Sequence, residues 1–265
     1  MLISNFLFWL TTVSLVCLIL ERLFPWRPQK LVREGFRQDL FWIVFNGHTF
    51  SYITAGLFLW IANHLSMVFY QLGAKPPESW KLLSEWPLWA QFFIFLVFQD
   101  FLEWCIHNLL HRVPILWRFH QLHHSIITMD WLGNMRFHWM EIIVYKSLKY
   151  IPLIMLGVHW QVILGVAVTS LTIGSLNHSN LNWGYGPLRY IISSPRYHLW
   201  HHDMECHYKN GQNFAIVFSL WDYLFKTAWY IPGKHAKQLG FKGIETFPKT
   251  LLPRLVSGFS TNRSR

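Results

Sequence analysis

Four apolar stretches limit what this chain can fold into. Residues 2–20 contain no charged side chain, residues 40–62 and 88–106 are nearly as apolar, and residues 140–176 form a longer apolar stretch interrupted by lysines and a proline. A helix needs about 20 apolar residues to cross the hydrocarbon core of a bilayer. Only 14% of the residues are charged, against about 25% in an ordinary soluble domain. We therefore expect an all-α integral membrane protein with about four to five transmembrane or hairpin helices.

The basic residues indicate how these helices cross the membrane. Residues 21–39 carry five lysines and arginines, whereas residues 63–87 carry only Lys75 and Lys81. Because cytoplasmic loops are enriched in lysine and arginine, residues 21–39 are predicted to be cytoplasmic. The same topology brings the end of the third apolar stretch and everything after residue 177 to the cytoplasmic face. We expect a multi-pass protein of a bacterial inner membrane or the endoplasmic reticulum.

Histidines are concentrated after the third apolar stretch, in three boxes with helical spacing. On a helix with 3.6 residues per turn, residues three or four positions apart lie on one face. Eight imidazoles exceed what one ion can coordinate and are about the number that two ions need. The boxes therefore predict a polynuclear metal site in a cytoplasmic helical cap. They consist of His107 and His111, of His120, His123 and His124, and of His198, His201 and His202.

Several interpretations of the boxes remain open from spacing alone. Imidazole binds zinc, copper, iron and nickel, but structural zinc sites usually include cysteine, and the boxes contain none. Redox-active iron that activates dioxygen is therefore the favoured metal. One alternative is a set of histidines that serve only as polar residues at helix ends. Another is a multi-span metal-cation (zinc) transporter, although transporters bind their cargo near the bilayer midplane and these boxes lie at helix ends.

Further motifs accompany the boxes in a fixed order. Asp100 precedes the first box by seven residues, an R-F-H-W-M-E segment occupies residues 136–141, and Asn177 precedes His178. Asn213-Phe214 is followed by W-D-Y-L-F-K-T at residues 221–227. Taken together, the motifs resemble those of the fatty acid hydroxylase/sterol desaturase superfamily, which are membrane-bound di-iron oxygenases. Asn108 and Trp139 stand where that superfamily often has arginine and proline, so the subfamily stays open.

The resemblance implies roles for individual residues. It implies that Asp100 accepts the free N–H of a ligating imidazole and that Glu141 does the same for His138, because such partners fix the orientation of a ligand ring. The implied metal ligands are the eight box histidines together with two further residues, which gives His107, His111, His120, His123, His124, His138, His178, His198, His201 and His202.

The resemblance also implies an activity. It is the O2-dependent hydroxylation, or the desaturation, of an aliphatic C–H bond in a lipid such as a sterol, a fatty acyl chain or an alkylglycerol. Two Fe ions are the implied cofactors, with Zn as a possible substitute. The chain has no GxGxxG motif, so an external electron donor, a reductase or a small carrier, is expected as a partner.

Three regions of the chain follow from these features. We expect a two-span N-terminal membrane region at residues 1–87, a catalytic domain like that superfamily at residues 88–230, and a basic cytoplasmic tail at residues 231–265. The formal net charge is +10, and we assign it to loops and a tail that face anionic lipid headgroups. No nucleic-acid partner is expected, because the chain has no basic motif typical of nucleic-acid binding.

Overall fold

The structure is a computed structural model that describes residues 2–76, 83, 85–155 and 158–259. The described residues contain helices and no strand, apart from two isolated bridges. The α-helices are α1 (Leu2–Leu23), α2 (Phe36–Val44), α3 (Phe50–Gln71), α4 (Leu88–Arg112), α5 (Pro114–His124), α6 (Trp139–Met155), α7 (Trp160–His178), α8 (Pro195–Leu199), α9 (Leu220–Leu224) and α10 (Leu251–Leu255). Short 3₁₀ helices occupy Trp131–Met135, Gly186–Tyr190, Ile244–Thr246 and Ser257–Phe259.

Four helical segments are long and apolar enough to cross a membrane, which confirms the predicted all-α membrane fold. They are Phe6–Leu23, Phe36–Gln71, Leu88–Arg112 and Trp160–His178. Parts of three predicted segments lie outside the described residues: 77–82 and 84 in the second loop, 156–157 in the hairpin turn, and 260–265 in the basic tail. The cytoplasmic orientation of the histidine-rich cap stays a prediction.

The second span is longer than the sequence predicts. Helices α2 and α3 are joined by the π-helical turn Phe45–Thr49 into one run of 36 residues, which is about 54 Å long at 1.5 Å per residue. The hydrocarbon core is only ~30 Å thick, so part of this run must lie outside it. Its first turns are packed into the cap, where Asp39 and Trp42 are buried. In the π-helical turn Gly47 lies against Leu10 of α1, and an added Cβ would approach a Leu10 methyl carbon to 2.9 Å.

The third span also extends beyond its predicted end at residue 106. Helix α4 continues to Arg112, so both histidines of the first box belong to the membrane helix itself. Pro114 then begins α5, and Val113 before it is extended, as is usual for the residue that precedes a proline. The chain turns sharply between α4 and α5, and the second box comes to lie beside the first.

Buried ion pairs and hydrogen bonds connect the N-terminal region to the cap. The Arg33 guanidinium donates to Asp130 Oδ2 at 2.7 Å and to Asp39 Oδ2 at 2.7 Å, and Arg136 donates to the same Asp39 oxygen at 2.7 Å. At the end of α1, Glu21 accepts backbone N–H groups from the cap, including that of Asn180 at 2.7 Å. Buried charges are tolerated when each is paired and hydrogen-bonded. These contacts fix the cap against α1 and α2.

Candidate metal centre

The structure collects nine histidines into two adjacent groups. Within each group, one ring nitrogen of every member lies within 4.8 Å of those of the others. Both groups are almost entirely buried, with His111 half-buried. We call them the five-histidine group, which contains His107, His111, His120, His124 and His201, and the four-histidine group, which contains His123, His178, His198 and His202.

The spacing of the boxes explains how they are divided between the groups. In α5, His120 and His124 are four residues apart and join the five-histidine group, whereas His123 points to the four-histidine group. Each HxxHH box therefore contributes to both groups. The third box is only partly helical, because α8 ends at Leu199 and a turn carries His201 and His202.

The ε-nitrogens of neighbouring histidines converge on common points. The Nε2–Nε2 distances are 3.2 Å for His107 and His120 and 3.1 Å for His111 and His124 in the five-histidine group. In the four-histidine group, His178 Nε2 lies 3.2 Å from that of His123 and 3.3 Å from that of His198. Nitrogens bonded at about 2.1 Å to one ion are separated by about 3 Å, so these distances suit shared metal ions.

Hydrogen bonds to the opposite ring nitrogen determine which nitrogen is free. The Nδ1 atom of His107 donates to Phe214 O at 2.7 Å, and that of His201 donates to Gln212 O at 2.7 Å. His178 Nδ1 donates to Gly174 O at 2.8 Å. Because a neutral imidazole carries one proton, these bonds leave Nε2 as a lone-pair donor in each ring. A ligating histidine is held in this way in most metal sites.

One pair of histidines directs two ring nitrogens toward each other. His107 and His120 both use Nδ1 as a donor, to Phe214 O and to Glu141 Oε1 respectively. Their Nε2 lone pairs therefore face each other at 3.2 Å, which is repulsive without a positive charge between them. The buried Nε2 of His201 likewise has no hydrogen-bond partner among the described residues. Both observations fit metal ions bound by these nitrogens.

The protonation state of the cap histidines also suits metal binding. Burial lowers the pKa of His123, His124 and His202 well below 6.5, and the neighbouring imidazoles lower it further. The same causes lower the pKa of His198 and His201. These rings are therefore neutral at physiological pH, and only the neutral ring offers a lone pair to a metal ion. The chemistry of the donor set fits a histidine-bound transition-metal centre.

Three residues implied by the resemblance are placed differently from expectation. His138 is in neither group: its ring packs between Phe119 and Phe259, and its Nδ1 accepts the Met140 N–H at 3.2 Å. Glu141 accepts from His120 at 2.8 Å and not from His138. Positions 138 and 141 are three residues apart and would share one face if both were helical. Helix α6 begins only at Trp139, so His138 lies before the helix and does not share a helical face with Glu141.

The expected role of Asp100 needs correction. Its carboxylate accepts the backbone N–H groups of Val217 and Phe218 and the indole N–H of Trp221, each at 2.9 Å, and no imidazole of the described residues donates to it. Asp100 lies in the middle of α4, where the backbone of residues 217–218 contacts its carboxylate. Asp100 therefore holds a loop, and the histidines are held by that loop.

Residues 212–218 form the loop in question, which we call the carbonyl loop. Its Gln212 and Phe214 carbonyls accept hydrogen bonds from His201 and His107 and so orient two neighbouring rings of the five-histidine group. Asp222 stabilises the loop by accepting hydrogen bonds from the backbone N–H groups of Phe214 at 3.0 Å and Ala215 at 2.9 Å. The sequence signals for it are Asp100 and the W-D pair at residues 221–222, but sequence reasoning did not assign Asp222 or the carbonyl groups to the site.

A cavity opens from the histidine groups toward the membrane-facing helices. It has a volume of about 480 Å³, and His107, His120, His123 and His178 form part of its wall. Apolar residues of α1, α3, α6 and α7 line most of the remainder. The exposed Tyr52 and Leu59 of α3 lie at its outer boundary. A long apolar molecule could therefore reach the histidines from the bilayer.

Comparisons with known proteins agree with this geometry. The family model described as fatty acid hydroxylase matches residues 92–227, about half of the chain, and this segment contains all nine grouped histidines. The chain is 31% identical over 261 residues to the ornithine lipid hydroxylase OlsE of Rhizobium tropici, an alignment that covers 95% of this chain and 74% of that protein. The chain belongs to the fatty acid hydroxylase family.

More distant relatives share only part of their length with the chain. An alkylglycerol monooxygenase of Xenopus tropicalis is 29% identical over 57% of this chain and 32% of its own length, so the chain spans about a third of that protein. Methylsterol monooxygenase 1-3 of Arabidopsis thaliana is 25% identical over 64% of this chain and 60% of its own length. No solved structure matches.

These relatives identify the class of enzyme. They are lipid hydroxylases and monooxygenases, and the chain is accordingly a lipid-modifying membrane oxidoreductase with a histidine-rich metal site. The transporter alternative receives no support from them. The predicted family is confirmed.

Proposed function

We propose that the chain binds two iron ions and uses O2 to hydroxylate an aliphatic C–H bond of an ornithine-containing membrane lipid. The observation that carries this proposal is the pair of histidine groups, five and four imidazoles, which form one end of an apolar cavity. One iron in each group accounts for the paired Nε2 atoms and for the unpartnered ring nitrogens. The substrate class is taken from the ornithine lipid hydroxylase, with which the chain shares 95% of its length.

Iron is favoured over zinc because of the proposed reaction, since the arrangement of the histidines would suit either ion. When bound, iron supplies the electron transfer to O2 that a redox-inert zinc ion cannot. The overall reaction replaces one C–H bond by C–OH, and the second oxygen atom leaves as water. Two electrons and two protons are required, and we propose that a separate reductase or small carrier protein supplies the electrons. Hydroxylation is favoured over desaturation because the relatives' names specify hydroxylases and monooxygenases.

The chain's own residues position the reacting groups. Glu141 and the carbonyl-loop oxygens hold the ligating rings, and the apolar cavity wall orients the lipid and excludes water from the reacting carbon. Exclusion of water strengthens the electrostatic contacts inside the site and prevents side reactions. The five basic residues in positions 21–39 support a cytoplasmic location of the site in a bacterial inner membrane or the endoplasmic reticulum.

Lipid mass spectrometry tests this proposal. Purified, iron-loaded protein in lipid nanodiscs that contain ornithine lipid is supplied with electrons under 18O2. We expect a hydroxylated ornithine lipid that carries one 18O atom, and no such product from His123→Ala or His201→Ala protein that inserts normally into membranes. Product in either variant at the wild-type level would contradict the site, and 18O-free product would contradict the use of O2.

A further inference from the structure

Charged side chains enter the cavity at one place. Histidines aside, the charged residues of its wall are Lys146 and Lys149, which are one turn apart on α6, and Glu103 of α4. Helix α6 packs against α3 and α4, whose apolar runs are long enough to span the membrane. Charged residues at such positions are costly, and they usually mark a functional site with an identifiable partner.

The two lysines have different partners. Lys149 Nζ forms an ion pair with Glu103 Oε2 at 2.6 Å. Lys146 Nζ donates to the neutral Ser51 Oγ at 2.6 Å, and no carboxylate of the described residues forms an ion pair with it. The wall therefore carries one net positive charge, and it is located at Lys146.

The position of Lys146 relates it to the reacting end of the cavity. Glu141, five residues earlier on α6, holds His120. At about 1.5 Å per residue, Lys146 lies about 7.5 Å further along the helix axis. A group bound by Lys146 would consequently be close to the histidine groups. The distance between them is comparable to the length of a lipid headgroup and shorter than an acyl chain.

We propose that Lys146 is a specificity-determining residue whose ammonium group binds the carboxylate of an amino-acid lipid headgroup. This inference rests on the proposed function, because it assigns a role in selecting that substrate. The bound carboxylate would hold the headgroup in the cavity and set which of its carbons faces the histidines. A charge-assisted hydrogen bond in a site shielded from water is strong enough to select between lipids.

Glu103 supports a zwitterionic headgroup as the occupant of the cavity. Its carboxylate lines the same wall, so the cavity presents both signs of charge. An ornithine headgroup carries a carboxylate and an ammonium group, which these two signs match.

Equilibrium binding tests the inference without turnover. The dissociation constants of ornithine lipid and of its carboxyl methyl ester are measured by quenching of tryptophan fluorescence in detergent micelles. Wild-type protein should bind the acid about tenfold more tightly than the ester, as one charge-assisted hydrogen bond provides. Lys146→Gln should remove this preference by weakening the acid alone, and Lys146→Arg should retain it. Equal weakening of acid and ester in Lys146→Gln would show a structural role and overturn the inference.

Two controls separate charge from packing. Ser51→Ala removes the hydrogen bond between α3 and α6 and keeps the ammonium group, so the preference for the acid should persist. Lys209→Gln removes an exposed lysine outside the cavity, and it should leave both dissociation constants unchanged. If Ser51→Ala lost the preference for the acid over the ester while Lys146→Gln kept it, the assignment to Lys146 would be overturned.

Turnover distinguishes this inference from the proposed function. Hydroxylation of ornithine lipid by wild-type protein, with an unchanged acid-to-ester ratio of kcat/KM in Lys146→Gln, would overturn the role of Lys146 only. Binding without hydroxylation of either lipid by wild-type protein would contradict the proposed function, while the binding ratios still decide the role of Lys146. Absence of wild-type binding to either lipid would overturn both.

Discussion

His120 and Glu141 form a buried hydrogen bond in which Nδ1 of the imidazole donates to Oε1 of the carboxylate at 2.8 Å. Both side chains are almost fully buried. The bond joins α5 to α6 and directs Nε2 of His120 toward Nε2 of His107. It therefore connects the wall of the lipid cavity to the five-histidine group, and it is the one carboxylate–histidine contact among the nine grouped histidines of the described residues.

Glu141→Gln should weaken metal binding without unfolding the protein. The amide keeps an acceptor for the imidazole N–H but lacks the charge that makes His120 a stronger ligand, and such a loss lowers metal affinity about 10- to 100-fold. Competition with a chelator of known iron affinity measures the change. Glu245→Gln, at an exposed residue far from the histidines in sequence, is the control. Equal iron affinity in Glu141→Gln and Glu245→Gln would show that the contact does not tune the metal.

His138→Ala should keep both irons, whereas His178→Ala should lose one. Both histidines are buried, so the two variants lose similar packing. Only His178 has its Nε2 in a histidine group, 3.2 Å from that of His123. Iron quantified per chain gives the comparison. If His138→Ala lost iron as His178→Ala does, His138 would belong to the metal site.

Asp222→Asn should destabilise the carbonyl loop and reduce iron content together. The substitution places an amide N–H₂ among groups that all donate, which costs about 2–4 kcal/mol when several buried donors lose their acceptor. Thr227→Val removes one of these donors and should cost about 1 kcal/mol. Thermal unfolding in detergent and iron content are measured together. The donors are Trp104 Nε1, Tyr197 Oη, Phe214 N, Ala215 N and Thr227 Oγ1.

The outcome for Asp222 distinguishes a positioning role from packing alone. The carbonyl group of Phe214 in this loop orients His107. Asp222→Asn should therefore lose more iron than a variant that is equally destabilised by a substitution outside the carbonyl loop. Full iron content in a destabilised Asp222→Asn protein would contradict the positioning role.

Metal-free protein should lose stability as the pH falls below about 6.5. Burial lowers the pKa of His123, His198 and His202 in the folded state, whereas unfolded histidine keeps its ordinary value near 6.5. Below that pH the unfolded state binds protons that the folded state does not, so the free energy of unfolding decreases. The slope approaches about 1.4 kcal/mol per pH unit for each histidine.

Unfolding temperatures of chelator-treated protein, measured from about pH 8 to about pH 5, test this pH dependence. Stability should be level above about pH 7.5 and fall steeply below about 6.5. Constant stability across the range would show that the histidines are not held neutral by burial.

The membrane fold follows from the sequence because apolar length alone determines a span. The run at residues 2–20 corresponds to α1, and the interrupted stretch at residues 140–176 corresponds to the two helices α6 and α7. The ends were less predictable. Helix α4 continues past residue 106 and the second span begins at Phe36, since polar residues such as Asp39 are buried in the cap by partners distant in sequence.

The grouping of the eight box histidines was predictable because residues at helical spacing lie on one face of a helix. His178, which is outside the boxes, was found only through the resemblance, and the structure places it beside His123. The partners of the histidines were not predictable. Asp100 and Asp222 act through the backbone of the carbonyl loop. The amino-acid sequence does not indicate where a backbone carbonyl group will point.

Iron stoichiometry tests the central claim most directly. Protein is loaded with Fe²⁺ without oxygen, freed of loosely bound metal, and its iron is counted per chain for wild type and two double variants. We expect two irons in wild type and one in each double variant, His111→Ala/His124→Ala and His198→Ala/His202→Ala, because each pair belongs to a different group. One iron in wild type, or two in either double variant, would contradict a centre built from two histidine groups.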